Sequence, residues 1–218
     1  MTTSTGDLTS NSSIAEPVLL FLGVLSNSTE AVDRARRLIE IVFHMSIVEY
    51  GPVNFDFTDF YNGEMGPELL RRVWLLNGLM DPEDLHLTKL LTGNLEAALA
   101  GGAGRPRIVN LDPGYMSLAR IALFTTKDRP HRLYLGSGIY GESTLQFFDS
   151  SYRDVAHTYA DYRSPELRGF FNEQRPALKS LLRDYREGTE QCRNIYQILG
   201  DGQCSGCGES VDPSAPEN

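Results

Sequence analysis

Residues 17–26, PVLLFLGVLS, form an apolar run in which Gly23 alone interrupts Val18 to Leu25. A run of that kind reads as a central strand covered on both faces, because a strand with one wet face would alternate. Asn27 follows, three residues before Glu30, the spacing of a capping pair at a helix start. Beyond it Val32, Ala35, Ile39 and Val42 recur at three- and four-residue steps, with Asp33, Arg34, Arg36, Arg37 and Glu40 between them. That pattern predicts an amphipathic helix packed on the first strand.

Working outward, Gly51-Pro52 reads as a turn, and Phe55 and Phe57 alternate with Asp56 and Thr58 as a strand or extended loop. A helix is expected near Pro67 to Leu76, with Pro67 at a tolerated first-turn position. Asp81-Pro82-Glu83 reads as a second helix start with Asp81 as the cap and Leu85, Thr88, Leu91, Leu95 and Leu99 facing inward, stopping at Gly101 to Gly104. Arg107 to Leu111 reads as a short strand ended by an Asp112-Pro113-Gly114 turn. The stretch 117–126, SLARIALFTT, fits neither period. Residues 131–148 read as a hairpin about Gly136-Ser137-Gly138, and Ser164-Pro165-Glu166 starts a long helical stretch to about Leu199, kinked or restarted at Pro176. The resulting expectation is an α/β (or α+β) fold, a single domain over 16–198 with a mixed β-sheet flanked by helices and a long C-terminal helix. Tails at 1–15 and 199–218 fall outside it.

The chain has 218 residues, 41% hydrophobic and 22% charged, too apolar for a disordered protein. No run of about 18 apolar residues is present to span a membrane, and MTTSTGDLTSNSSIAEP lacks the basic-then-apolar pattern of a secretory signal. A soluble, cytoplasmic protein is expected. The net charge of −9 argues against a dedicated nucleic-acid binder, which needs a basic face. Residues 105–163, however, carry 8 basic and 6 acidic side chains, against 6 and 14 in residues 1–104, so the middle of the chain suits an anionic ligand. Cys204 and Cys207 form a CxxC pair in the acidic tail with only Cys192 beside it and no histidine after His157. That pattern falls short of a tetrahedral zinc set and reads either as incidental thiols or as a metal or redox pair.

Known nucleotide and hydrolase motifs fail one by one. G-x-x-x-x-G-K-[ST] is absent, and the Gly101 to Gly104 run precedes a strand instead of opening a helix. Asp112-Pro113-Gly114 and Thr126-Lys127-Asp128 miss the GTPase spacings by one residue. G-x-S-x-G and H-E-x-x-H are also missing. What remains is a set of four polar segments. They hold Asp56, Asp59 and Glu64 among aromatics; Asn110, Asp112 and Tyr115; Thr125 to Asp128 with His131 and Arg132; and Tyr140, Glu142, Asp161, Tyr162 and Arg163. Loops at strand ends commonly lift such residues into one crevice.

The motifs FDFTDFYNGEMG, NLDPGY, TTKDRPHRLYLGSGIYGESTL and TYADYR, in that order, resemble the bacterial and archaeal domain-of-unknown-function 4416 family over about residues 17–178. Phe60 stands where the family often has tyrosine, and Gly141 where alanine is common. The resemblance brings no established activity. A "GTP-binding" label borne by some members finds no support in the motifs above.

The chemistry of the segments therefore supplies the hypotheses. Lys127, His131 and Asp112 are the candidate catalytic residues: a phosphate-neutralising lysine, a histidine that exchanges a proton near neutral pH, and a carboxylate. Arg132, Tyr115, Tyr140, Glu142, Asp161 and Arg163 are candidate substrate contacts, with Arg132 offering a bidentate grip on phosphate. Asp56, Asp59 and Asp112 would together suit Mg²⁺. One reading is a small enzyme acting on a phosphorylated metabolite or nucleotide. The alternatives are a non-catalytic binding or regulatory module that presents FDFTDFY to a partner, or a non-standard GTP site. Plainer roles also stand for each residue, as turn caps, solvated ion pairs or a structural histidine. A single pocket gathering the segments favours the first reading, and separate faces the second.

Overall fold

The computed structural model describes residues 15–188. Val18–Ser26 is strand β1, buried at all nine positions, as its apolar run requires. The helix after it, α1 (Thr29–Phe43), is capped one residue later than expected. Ser28, not Asn27, accepts from the Ala31 amide, and the Asn27 side chain donates instead to the carbonyls of Met65 and Pro67. Strand β2 (Ile47–Asn54) runs through Gly51-Pro52, with a register shift between Tyr50 and Val53 where a turn was expected.

Two larger corrections follow. The helix expected over Pro67–Leu76 is strand β3 (Leu70–Met80), preceded only by the one-turn helix α2 (Asn62–Met65). Val73 to Leu76 are almost completely enclosed, with β1 on one side and β2 on the other to take up the backbone groups. Pairing on both edges overrides a pattern that suits either structure. The Asp112-Pro113-Gly114 turn is likewise the middle of strand β4 (Asn110–Met116). Strand β5 (Arg120–Thr125), the ambiguous SLARIALFTT stretch, pairs with β4 only over Gly114–Met116. Pro113 therefore lies where the β5 side of β4 is unpaired, a place that tolerates a residue without an N–H.

Asp81 caps no helix. Its carboxylate accepts from the Glu83 amide in a turn, Leu85–Leu87 form a 3-10 turn, and α3 spans Thr88–Leu99. The hairpin is as expected, β6 (Leu133–Gly136) with β7 (Ile139–Phe148), and a short β8 (Ser151–Asp154) pairs with β7. Helix α4 (Pro165–Arg186) starts on the Ser164 cap and passes through Pro176 without a restart. The two tails, Cys192 and the CxxC pair lie outside the described residues.

The eight strands form one sheet in the order β2-β3-β1-β4-β5-β7-β6, with β8 beside β7. The α/β composition, the flanking helices and the long C-terminal helix match the expectation, and the ladders run antiparallel throughout instead of mixed. Alternate residues of β1 divide the core. Leu20, Leu22 and Val24 pack with Val32, Ile39 and Leu99 of α1 and α3. Leu19 and Phe21 pack with Phe171, Leu178 and Leu182 of α4. The sheet is thus the middle of three layers. No helix among the described residues is long and apolar enough to cross a membrane.

Candidate functional site

The β4–β5 ladder stops at the Gly114–Leu123 pair, and beyond it the strands part. Residues 110–113 leave on one side and residues 124–127 on the other. A cavity of about 880 Å³ occupies the parting, lined by α3 from one helical layer and by residues 159–162 from the opposite one. Its other walls are Asn110 and Asp112 on β4, Thr125 to Lys127 at the end of β5 and just beyond it, Glu142 on β7, and Phe55, Phe57, Phe60 and Tyr61 from the β2–α2 loop. All four polar segments therefore reach one hollow, each with some of its residues.

Most charges in the hollow are already matched. The Arg71 guanidinium meets Asp161 at 2.8 Å, with both side chains buried. It lies across β1 because position 23 is glycine: a Cβ there would stand 2.9 Å from the guanidinium. Lys89 reaches Asp112 at 2.8 Å. Arg107 grips Glu64 through Nε at 2.9 Å and its terminal nitrogen at 2.6 Å, and also donates to Asn110 at 2.5 Å. Glu142 takes His131 at 3.0 Å and Arg132 at 2.7 Å on one oxygen. Lys127 differs from the other lining cations. Among the described residues its ammonium has no carboxylate within ion-pair distance and sits 4.6 Å from the Phe60 ring centre.

Burial acts on these groups in opposite directions. It favours neutral Asp112, but the Lys89 ammonium, the Arg71 charge and the Asn110 amide outweigh it and hold this carboxyl below its ordinary value. Although deep in the protein, Asp112 keeps 32% of its side-chain surface open to the cavity. Burial dominates at Glu96 and raises its carboxyl, against the pull of Lys89 and an accepted Leu111 amide at 2.6 Å. Burial also pushes the Tyr61 phenol up to about 12.

The expected site residues separate into two groups. Asp112, Lys127, Glu142 and Asp161 line the cavity. His131 does not. It bonds Glu142 and stacks on His157 at 4.3 Å, so it touches the hollow only through that carboxylate. Arg132 is not a free phosphate clamp either: its side chain, 4% exposed, is spent on Glu142, the Lys127 carbonyl and the Tyr159 hydroxyl. Arg163 donates to the Thr158 and Ala156 carbonyls. Tyr115 packs on Phe124, and Tyr140 on Tyr134. The proposed Mg²⁺ triad is not assembled. Asp59 accepts from the Asn62 amide, Asp112 is held by Lys89 and Asn110, and no three His, Cys, Asp or Glu among the described residues are grouped to hold a metal.

Four charged lining residues were not singled out from the sequence: Arg71, Lys89, Glu96 and Arg107. Arg71 fell inside a segment read as helix, and Lys89 and Glu96 inside a helix read for its apolar face. Only Arg107, three residues before the start of β4 and in the basic third of the chain, carried a usable signal.

Neither the curated proteins nor the solved structures compared with this chain include a match. A family model does match, that of a domain of unknown function, over residues 16–177, which takes in β1, the cavity and most of α4. With three quarters of its length so matched and the four motifs gathered at one hollow, the chain belongs to the DUF4416 family.

Proposed function

We propose that the cavity binds a small anionic molecule, a phosphorylated metabolite or nucleotide, with its anionic group at Lys127. The observation that carries this reading is that Lys127, alone among the lining cations, lacks a carboxylate partner among the described residues. An unpaired ammonium beside a partly enclosed hollow is an anion site available at low desolvation cost. The volume, about 880 Å³, lies in the range of small-molecule sites, about 300–1,000 Å³. Aromatic rings on several sides suit a planar group.

Two carboxyls of the same cavity are shifted in opposite directions: burial raises that of Glu96, and against burial the Lys89 and Arg71 charges hold that of Asp112 down. Glu96 accepts the Leu111 amide and Asp112 is engaged by Lys89 and Asn110, so both serve the cavity wall before any ligand arrives.

A second reading, a surface for a protein partner, draws on Phe57 and Phe60, which are 49% and 66% exposed at the mouth. Thermal-shift titration separates the two. Phosphate esters should raise the melting temperature saturably, and Lys127→Ala should remove that rise while lowering the unliganded melting temperature by no more than a few degrees. A flat response to phosphorylated metabolites and nucleotides, or a rise indifferent to Lys127→Ala, overturns the anion site.

A further inference from the structure

The wall beside Lys127 is aromatic, and its rings are held in place. The lysine ammonium sits 4.6 Å from the centre of the Phe60 ring. Phe60 meets Tyr61 edge to face at 5.1 Å, Tyr61 meets Phe55 at 6.1 Å, and Phe55 meets Phe57 at 5.6 Å. Phe55 and Tyr61 pack in turn on Leu25, Met65 and Leu69, so the row of four rings is anchored at its middle. Phe57 and Phe60, at its two ends, are exposed and line the cavity. Apolar surface that is bare, fixed in position and set against a hollow suits a ligand, which then binds without ordering it.

Lys127 is as firmly set as the rings. Its amide donates to Thr125 Oγ1 at 3.2 Å, and its carbonyl accepts from Arg132 at 2.7 Å. The same guanidinium donates at 2.6 Å to the hydroxyl of Tyr159, a further exposed ring of the cavity wall. One planar group thus fixes both the lysine backbone and Tyr159, while Phe60 lies against the far end of the lysine side chain. An anionic oxygen held by the ammonium at about 2.8 Å lies within about 7.5 Å of the Phe60 ring centre. Aromatic rings pack with their centres about 4.5–7 Å apart. A ring joined to the anionic group by a few bonds therefore reaches Phe60 while its charge stays on Lys127. An anion without a ring meets the lysine and makes no such contact.

We infer that the site selects aromatic anions, with the anionic group on the Lys127 ammonium and the ring of the ligand packed on Phe60. The inference rests on the anion site proposed above. It narrows the ligand from phosphate esters in general to those with an aromatic ring close to the phosphate, and makes Phe60 the residue that sets this preference.

Calorimetric titration of the full chain tests it with two pairs of probes matched in charge: phenyl phosphate against cyclohexyl phosphate, and uridine 5′-monophosphate against its 5,6-dihydro derivative. The second member of each pair keeps the phosphate and the ring size and loses the flat aromatic face. The aromatic member should bind at least about five-fold more tightly, the lower end of what stacking on a side-chain ring contributes. Phe60→Leu keeps an apolar side chain without a ring, and it should cancel that preference. Phe60→Tyr restores a ring and should restore the preference. A role confined to holding the loop would weaken both members of a pair alike. Because Phe60 is exposed, both variants should fold.

Equal affinity within whichever pair binds, lost in Lys127→Ala, overturns this inference and leaves the anion site standing. A preference that survives Phe60→Leu overturns the assignment to Phe60. If none of the four probes binds, or all bind Lys127→Ala as they bind the wild type, the anion site falls and this inference with it.

Discussion

The two ends of the β4–β5 pair use the same strands for opposite purposes. At the paired end, Gly114–Met116 and Ile121–Leu123 share a ladder, and Met116, Ile121 and Leu123 join the apolar cluster under α4. At the other end the strands part, and the side chains around the parting are Asp112, Lys89, Arg71, Glu142 and Lys127. A ladder supplies every backbone group with a partner at no cost in charge. An open end must satisfy its groups with side chains, and here Glu96 accepts the Leu111 amide and Lys89 donates to the Leu111 carbonyl, each charge being tied in turn into an ion pair. The paired end can therefore fail only by misfitting, while the open end can fail by losing one member of a pair.

The largest effect is expected at the open end. Arg71→Met strands Asp161, whose side chain is 10% exposed, beside an apolar neighbour. Removing one member of a buried pair costs about 3–5 kcal/mol. The double variant Arg71→Met, Asp161→Leu should recover most of that loss, because an apolar pair of similar volume is nearly neutral. Urea unfolding of the two proteins measures both quantities. Equal losses in the single and double variants would show that the pair is not what holds this wall.

The paired end should respond next. A Cβ at position 114 would lie 2.2 Å from the Ala122 carbonyl oxygen and 2.7 Å from the Phe21 ring. Because one of those neighbours is backbone of the adjoining strand, Gly114→Ala must push β5 away. Overpacking of this kind costs about 1–3 kcal/mol, with backbone involvement at the upper end. The variant should also weaken amide protection on β5 while sparing α1. A loss of less than about 0.5 kcal/mol, the level of an ordinary surface substitution, would contradict the tight approach.

A smaller effect with a definite pH signature belongs to Lys89 and Asp112. Since Asp112 is a third exposed, screening limits the pair to about 1 kcal/mol at neutral pH. Its folded-state carboxyl lies below its unfolded value of about 3.9. The stabilisation is therefore full above that unfolded value and disappears as pH falls through the lower, folded one. Lys89→Met should unfold more easily than wild type at pH 7, with the gap closing toward pH 2. A gap that is constant with pH would locate the effect of Lys89 in packing instead of charge.

These contrasts also explain what the residues reveal when read alone. β1 was legible because nine buried positions in a row leave no other reading, and the hairpin because Gly136-Ser137-Gly138 sits between two strand-like runs. The β3 strand was hidden because LLRRVWLL suits a helix equally well until both of its edges are seen to be paired. Asp112-Pro113-Gly114 has turn chemistry, and only the missing β5 partner lets it lie in a strand. Of the site, segment composition indicated Asp112, Lys127, Glu142 and Asp161. It did not reveal that Arg132 and His131 are consumed by Glu142, since who pairs with whom is decided by packing. Arg71 gave no sign of its role, because its guanidinium crosses a strand that is distant in sequence and open only at Gly23.

The smallest effect on stability is the one that sharpens the comparison most. Every other lining cation is tied to a carboxylate, so replacing one of them mixes loss of fold with loss of function. Among the described residues the Lys127 ammonium is tied only to the Phe60 ring at 4.6 Å, a contact worth about 0.5–1 kcal/mol at an exposed site. Lys127→Ala should therefore shift the urea midpoint by no more than that, with its slope unchanged, while abolishing the stabilisation by phosphate esters. A substantial loss of stability would mean that the ammonium is paired in solution and that the parted strands hold a closed ion network. An unchanged fold with lost binding would mean that the open end keeps one charge unmatched, at little cost to folding, for a molecule from outside.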